Sequence, residues 1–327
     1  MTTPLAQGVN DFTARTDAEL ARLRGVRPAR LAPASGVADP ARPPRKAGAL
    51  PAQPAKMPPS VDWRSRGVVT AVKNPGGCGS CWAFAAAEAV ESAFALATGR
   101  LEVLSPQQIL DCTPNPRECG GDGGCLGGTP ELAFAGIAAA SGLASEWAYP
   151  YVDYHGGGAV TGPCRAGSGA PPVARLARAG FVKLPSNSYW PVLAALGRGP
   201  LAVNVDASAW FTYESGVFAD GAGKQPDIDH AVTLVGYGTD AESGQDYWLV
   251  RNSWGTAWGE DGYMRLARSA TPACASDVTP FDGSDCKNVS QPVAAVTVCG
   301  ECGVLYDVSY PVIDAGEQAQ PAGVAAF

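Results

Sequence analysis

Histidine is nearly absent: the 327 residues contain two, His155 and His230, so any chemistry that needs an imidazole has a narrow choice. Charge is also sparse, at 17% of residues, with acids in excess and a formal net charge of −7. A chain so short of bases carries no footprint for nucleic acid, and its acidity fits work at low pH only weakly. No apolar run reaches the roughly 18 residues that a spanning helix needs, which excludes that kind of membrane protein. No internal repeat is present, and residues 1–30 lack the apolar core of a secretory signal. Cysteine, by contrast, is plentiful: ten in a non-repetitive chain point to an oxidising compartment. The cysteine count and the N-terminus disagree, and we expect an upstream segment to be missing.

The remaining composition, 46% hydrophobic, describes a globular protein of one or two domains. Residues 1–27 hold one short helical pattern, Phe12 to Arg24. From Pro28 to Pro59 prolines and alanines dominate and large apolar residues are few, which reads as an extended linker. From Val61 to about residue 145 the pattern is helical, with expected helices at 81–97, Ser105–Asp111 and Pro130–Ala140. A Gly/Pro-rich connection at 155–172 follows. Beyond it come short strands, at Leu201–Val205, Ala231–Tyr237, Tyr247–Arg251, Tyr263–Ala267 and Val293–Val298. A helical half followed by a strand half predicts an α+β protein of two lobes with a cleft between them. We divide it at 1–56, 57–170, 171–312 and 313–327, the last a mobile tail.

Chemistry concentrates at Asn74-Pro75-Gly76-Gly77-Cys78-Gly79-Ser80-Cys81-Trp82. A glycine-rich turn runs into Ser80, a good N-cap whose hydroxyl can take a free backbone N–H, and an alanine-rich helix then starts at Cys81. Gly99 lies where that helix should stop. The positive end of the helix dipole favours thiolate at Cys81, a candidate nucleophile. His230 begins one apolar strand and Asn252 follows another. A thiolate needs an imidazolium beside it, and the imidazole needs a third group to hold its ring, for which an amide oxygen serves. Each residue alone could be structural: a buried cysteine, a core histidine, a turn asparagine. Together they point to nucleophilic catalysis.

Cys78-Gly79-Ser80-Cys81-Trp82 matches C-G-[SA]-C-[WY], and His230 falls within the window of about 130–150 residues after the cysteine, with Asn252 somewhat beyond it. From residue 58 to about 312 the chain resembles the papain-like cysteine peptidases of cathepsin type. The resemblance implies a two-lobed papain-like fold with a helical left lobe and an antiparallel, barrel-like right lobe. It implies a cysteine endopeptidase working through an acyl-enzyme, with Cys81 as nucleophile, His230 as acid and base, and Asn252 as orienting residue. Trp254 resembles the tryptophan that shields the asparagine bond from water. Gly79, Gly127, Gly128, Asn204, Asp229 and Asp307 would face the substrate. Among these, Cys125-Leu126-Gly127-Gly128 resembles the strip that pairs with a peptide backbone. Asp307 falls at the floor of the S2 pocket, where its carboxylate would accept a basic P2 residue, an exposed surface aspartate being the plain alternative. Asn204 would make that pocket polar.

One departure matters. The family carries glutamine six residues before the nucleophile, as one of two oxyanion donors; here that position is Pro75, which offers no donor. A weakened peptidase is expected, and a papain-fold protein that binds peptides without cleaving them is the alternative. A thiol-disulfide redox role for Cys78 and Cys81 lacks the βαβ context it requires. No cofactor and no metal are implied, the two Cys-x-x-Cys pairs having no histidine ligands beside them.

The resemblance further implies bridges Cys78–Cys125 and Cys112–Cys164. Cys274, Cys286, Cys299 and Cys302 would form two more, and Cys119 has no assigned partner. Asn288-Val289-Ser290 is a glycosylation sequon, meaningful only in a eukaryotic secreted chain. Asn10, Phe12, Thr16 and Glu19 resemble the end of a cathepsin pro-region, N-x-F-x-x-x-T-x-x-E. That pro-segment would run through the cleft in reverse and be cut near Lys56. Expected partners are therefore polypeptide substrates and the chain's own pro-segment, with no nucleic acid or membrane, for a monomer of lysosomal, vacuolar or extracellular location. His155 is expected to have no role.

Overall fold

The computed structural model describes residues 5–10, 12–25, 57–155, 161–167, 169–219, 225–287 and 295–314. The expected cleavage point at Lys56, the sequon at 288–290 and most of the tail lie outside them.

Five α-helices occur among the described residues. In α1 (Asp17–Arg24), Thr16 and Glu19 form a capping box, and Gly25 ends the helix in the left-handed region. It starts later than the Phe12 expected from the pattern, because Thr13 and Arg15 close turns onto Asn10 and Phe12 instead. The long helix α2 (Cys81–Thr98) begins and ends where the sequence says, with Gly99 as its left-handed cap. Ser80 does not cap it as expected: its hydroxyl bonds the Tyr151 hydroxyl at 3.0 Å instead of a backbone N–H. Helices α3 (Pro106–Cys112) and α4 (Pro130–Ala139) each open with proline behind a capping Ser105 or Thr129. Helix α5 (Tyr189–Leu196) was not expected.

The strands, in chain order, are β1 (Ala6–Gln7), β2 (Val61–Asp62), β3 (Leu143–Ala144), β4 (Pro172–Ala174), β5 (Leu176–Lys183), β6 (Leu201–Val205) and β7 (Tyr213–Ser215). There follow β8 (Val217–Phe218), β9 (His230–Thr239), β10 (Asp246–Arg251), β11 (Tyr263–Ala267), β12 (Cys274–Asp277), β13 (Val296–Cys299) and β14 (Asp307–Ile313). An eight-stranded sheet runs β5-β14-β6-β9-β10-β11-β8, with β2 also on β9; every pairing is antiparallel except β11–β8. Strands β5 and β14 were missed because their buried positions do not alternate cleanly.

Two apolar cores result. One surrounds α2, α3 and α4; the other fills the sheet with Trp210, Trp248, Trp254 and Trp258 and takes in Phe12 and Leu23 from the N-terminal segment. This is the α+β, two-lobed arrangement.

The lobes are joined by charge. Glu88 and Glu91, on the buried face of α2, face Arg251 of β10 and Lys73. Glu88 and Arg251 form an ion pair at 3.3 Å, each 1% exposed. Thr233 of β9 donates to Glu88 at 3.0 Å, and Arg251 donates to Thr70 at 3.1 Å. Glu91 pairs with Lys73 and accepts the Leu104 N–H at 2.8 Å. Removing one member of such a pair leaves the other charged and dry, at a cost of about 3–5 kcal/mol. Glu88→Ala should therefore lower unfolding stability by that amount in a denaturant titration; a loss below about 1 kcal/mol would mean that the pair does not hold the lobes.

Candidate active site

Cys81 stands at the first position of α2, with its turn clamped from below. The Cys78–Cys125 bridge ties the turn to the glycine strip, and Gly79 N–H donates to the Cys125 carbonyl at 3.1 Å. Tyr151 bonds both Ser80 and the Pro75 carbonyl, the latter at 2.9 Å. Sequence reading missed Tyr151; its only signal was a tyrosine within an aromatic run at 147–154.

His230 opens β9 and Asn252 directly follows β10, strands that pair antiparallel, so the two side chains meet: His230 Nε2 lies 2.9 Å from Asn252 Oδ1. That oxygen also accepts the Ser253 N–H at 2.8 Å. An amide oxygen only accepts, so Nε2 carries the proton and Nδ1 keeps its lone pair. Nδ1 is buried and has no partner. The Trp254 ring covers the pair, its centroid 5.0 Å from that of His230, and stacks on Phe211 at 4.6 Å. His155 is exposed and makes none of these contacts.

Cys81, His230, Gly127, Gly128, Asn204 and Asp229 line one cavity beneath Arg24 and Gly25. The covering residues leave about 10 Å³ there, at the lower limit of what one water needs. The Cys81 thiol donates to the Arg24 carbonyl at 3.4 Å. Gly127, at φ +93°, runs so close to Gly25 that a Cβ would stand 2.5 Å from the Gly25 carbonyl oxygen. The Arg24 guanidinium pairs with Asp229, whose other oxygen accepts the Ala207 N–H at 3.2 Å.

Covering the site changes its protonation. Burial pushes the Cys81 thiol up to about 12, with Asp229 adding to the push against a backbone contact from Ala231. Burial pulls His230 down to about 4, where the Asn252 bond opposes it and the Arg24 charge assists. Both groups are neutral under the segment, not the thiolate and imidazolium expected from the sequence.

Asp307 is not where the sequence reading put it. It is 1% exposed and off the cavity wall, its carboxylate paired with Lys183 at 2.5 Å and accepting from Asn204 Nδ2 at 2.8 Å. It is neither an exposed aspartate nor a free acceptor for a basic P2 side chain; it reaches the cleft only through Asn204. Pro75 is buried, and the neighbouring Asn74 spends its Oδ1 on the Gly76 N–H.

The disulfides also differ in part. Cys78–Cys125 and Cys112–Cys164 form as expected. Of the two bridges expected within 274–302 only Cys274–Cys299 forms. Cys286 reaches Cys119 across the cleft, and Cys302 stays a buried thiol accepting from Trp210 Nε1 at 3.3 Å.

The N-terminal segment sits on the right lobe as a docked element. Strand β1 pairs with β7, Asn10 Nδ2 donates to the Phe211 carbonyl at 2.7 Å, and Phe12 packs on Phe211 and Trp254. The residues Asn10, Phe12, Thr16 and Glu19 read from the sequence thus make the docking and capping contacts.

Residues 57–281 match the family model described as papain family cysteine protease. A relative from Oryza sativa subsp. japonica, cysteine protease 1, is 39% identical over 259 residues, covering 78% of this chain and 45% of its own length. The chain spans between 45% and 64% of the first curated relatives it matches. The bromelain protease from Ananas comosus, solved in complex with the E64 inhibitor, is 37% identical with a TM-score of 0.60, covering 79% of this chain and all of that one. A recombinant stem bromelain precursor is 34% identical with a TM-score of 0.69, covering 95% and 84%. With the family model spanning well over half its length, and the cysteine, histidine and asparagine side chains gathered as described, the chain belongs to the papain family of cysteine proteases.

Proposed function

We propose that the protein is an active papain-type cysteine peptidase, and that the described part of residues 5–25 belongs to its inhibitory pro-segment. The observation that carries the reading is the bond from His230 to Asn252, which leaves Nδ1 as a base on the cavity that holds Cys81. Once the cover leaves, water and the helix dipole stabilise charge, and the Cys81 proton passes to Nδ1. The thiolate adds to the peptide carbonyl, and the C–N bond breaks as the imidazolium protonates the leaving amine. Water, deprotonated by His230, then releases the acyl group from sulfur. The acyl side of the substrate lies along Gly127, Gly128 and Asn204; Trp254 keeps water from the His230–Asn252 bond. Four disulfides fit a lysosomal, vacuolar or extracellular setting.

Two measurements test this reading. A thiol alkylating agent should label Cys81 of the full chain slowly at pH 7, the rate rising about tenfold per pH unit because burial pushes the thiol up to about 12. After removal of the pro-segment, labelling should be fast and nearly flat with pH, and Cys81→Ser should abolish it. Equal rates before and after removal would refute the inhibitory role. Pro75→Gln should raise kcat, by up to about 10²–10³, with little change in KM, since it restores an oxyanion donor. An unchanged kcat would place that donor elsewhere, whereas a protein labelled at Cys81 but inert to every peptide would be a binder.

A further inference from the structure

Residues 277–287 cross the cleft. Strands β12 and β13 pair as a hairpin closed by their disulfide. Just beyond β12 the chain is pinned to the residues that lead into His230. The Ile228 N–H donates to Asp277 at 3.3 Å, and Thr279 donates to Asp227 at 2.8 Å. Gly283 lies flat against that same stretch: a Cβ on it would stand 1.9 Å from the Ile228 carbonyl oxygen. A few residues later the chain is fixed to the opposite wall. Gly120 N–H donates to the Asp285 carbonyl at 3.0 Å, Lys287 N–H donates to the Arg117 carbonyl at 3.1 Å, and Cys286 is bonded to Cys119. The loop that receives it is hydrogen-bonded in turn to the glycine strip, Gly123 N–H to the Gly127 carbonyl at 2.8 Å.

This strap therefore stands on the acyl side, directly beyond the glycine strip, and Asp282 and Gly283 line the same cavity as Cys81 and His230. An extended peptide advances about 3.3 Å per residue. Its first residue on this side faces Cys81 and its second lies beside Gly127, Gly128 and Asn204; a third meets the strap. The end wall is acidic. The Asp282 side chain accepts no hydrogen bond among the described residues; the Lys287 ammonium acts on it at longer range but pairs with Glu118 and Asp122. The cavity that Asp282 lines already holds a cation, the Arg24 guanidinium on Asp229. A peptide that ends at its second residue would bring its own cation there, the terminal ammonium.

We propose that the strap closes the acyl side two residues from the scissile bond, and that Asp282 receives the free N-terminal ammonium of the substrate. The enzyme then hydrolyses the second peptide bond of a chain in preference to internal ones, water dividing it into a dipeptide acid and a shortened amine. The inference rests on the peptidase reading above and specifies which bonds that site prefers.

The test uses the full chain after activation in mild acid, with three coumarylamide substrates: Ala-Phe with a free amine, its N-acetyl form, and Ala-Ala-Ala-Phe. The free-amine dipeptide should exceed the other two at least tenfold in kcat/KM. Asp282→Asn should remove about tenfold of that advantage, drawing the ratio between the free and acetylated dipeptides towards one. Cys119→Ser with Cys286→Ser should loosen the strap and raise turnover of the tetrapeptide. Equal rates on all three substrates would overturn the proposal, as would an Asp282→Asn loss that falls on all three alike. If Cys81 still takes an epoxide thiol probe in those cases, the peptidase reading survives. Absence of both labelling and turnover would remove the two together.

Discussion

Glu88 and Arg251 meet in the dry seam behind the cleft, and the geometry in front of it depends on that contact. Glu88 lies two helical turns along α2 from Cys81, and Arg251 immediately precedes Asn252. Thr233, which also bonds Glu88, lies three residues after His230 on the neighbouring strand. One buried ion pair thus indexes the helix that carries the nucleophile against the two strands that carry its partners. Apolar packing alone would let an alanine-rich helix slide, because alanine faces offer few distinct ridges. A charge that is satisfied in one register and stranded in all others does not permit that.

On the reading proposed above, the N-terminal segment inhibits through solvation as well as by occupying space. Removing water from Cys81 and His230 disfavours the charged form of each, so the proton stays on sulfur and the base stays neutral. Catalytic charge separation and tight covering of the site exclude one another. The covering chain therefore lies against Cys81 without meeting a reactive thiolate. The Arg24 carbonyl, which accepts from the thiol, adds a further hold on that proton.

The gathering of Cys81, His230 and Asn252 was readable in the sequence because each sits in a local signal: Cys81 at a helix start, His230 and Asn252 at strand ends. The two strands meet through β-pairing, so two residues far apart in the chain were bound to face each other. Ser80 was misread because a hydroxyl has two claims on it, and the buried Tyr151 hydroxyl outcompetes a backbone N–H that the local sequence displays. Asp307 was misread for a similar reason: counting along the chain finds the strand position, while Lys183, from a strand the pattern did not reveal, takes the charge. Glu88 and Arg251 were visible as charges in largely apolar elements, Glu88 with Glu91 on the same helix, and nothing local says which of them pair. Cys119 and Cys286 could not have been matched by spacing, since what joins them is a crossing from one lobe to the other.

That crossing changes how the cleft can behave. Behind it, the lobes are tied by a buried ion pair; in front, by a disulfide through the strap. A groove held on both faces cannot widen by a hinge motion, because opening one side would have to stretch a covalent link on the other. Selection among peptides must then come from the fixed dimensions of the groove and from the charges already in it. The nearest of these are carboxylates: Asp229 beside the histidine and Asp282 at the end wall, with Asp206 and Asp227 close to Asp229. If the strap closes the acyl side as proposed, a shallow, rigid, acidic end there favours a short segment bearing one positive charge over a long neutral one. The chain's own Arg24 is held by the first of these carboxylates, Asp229.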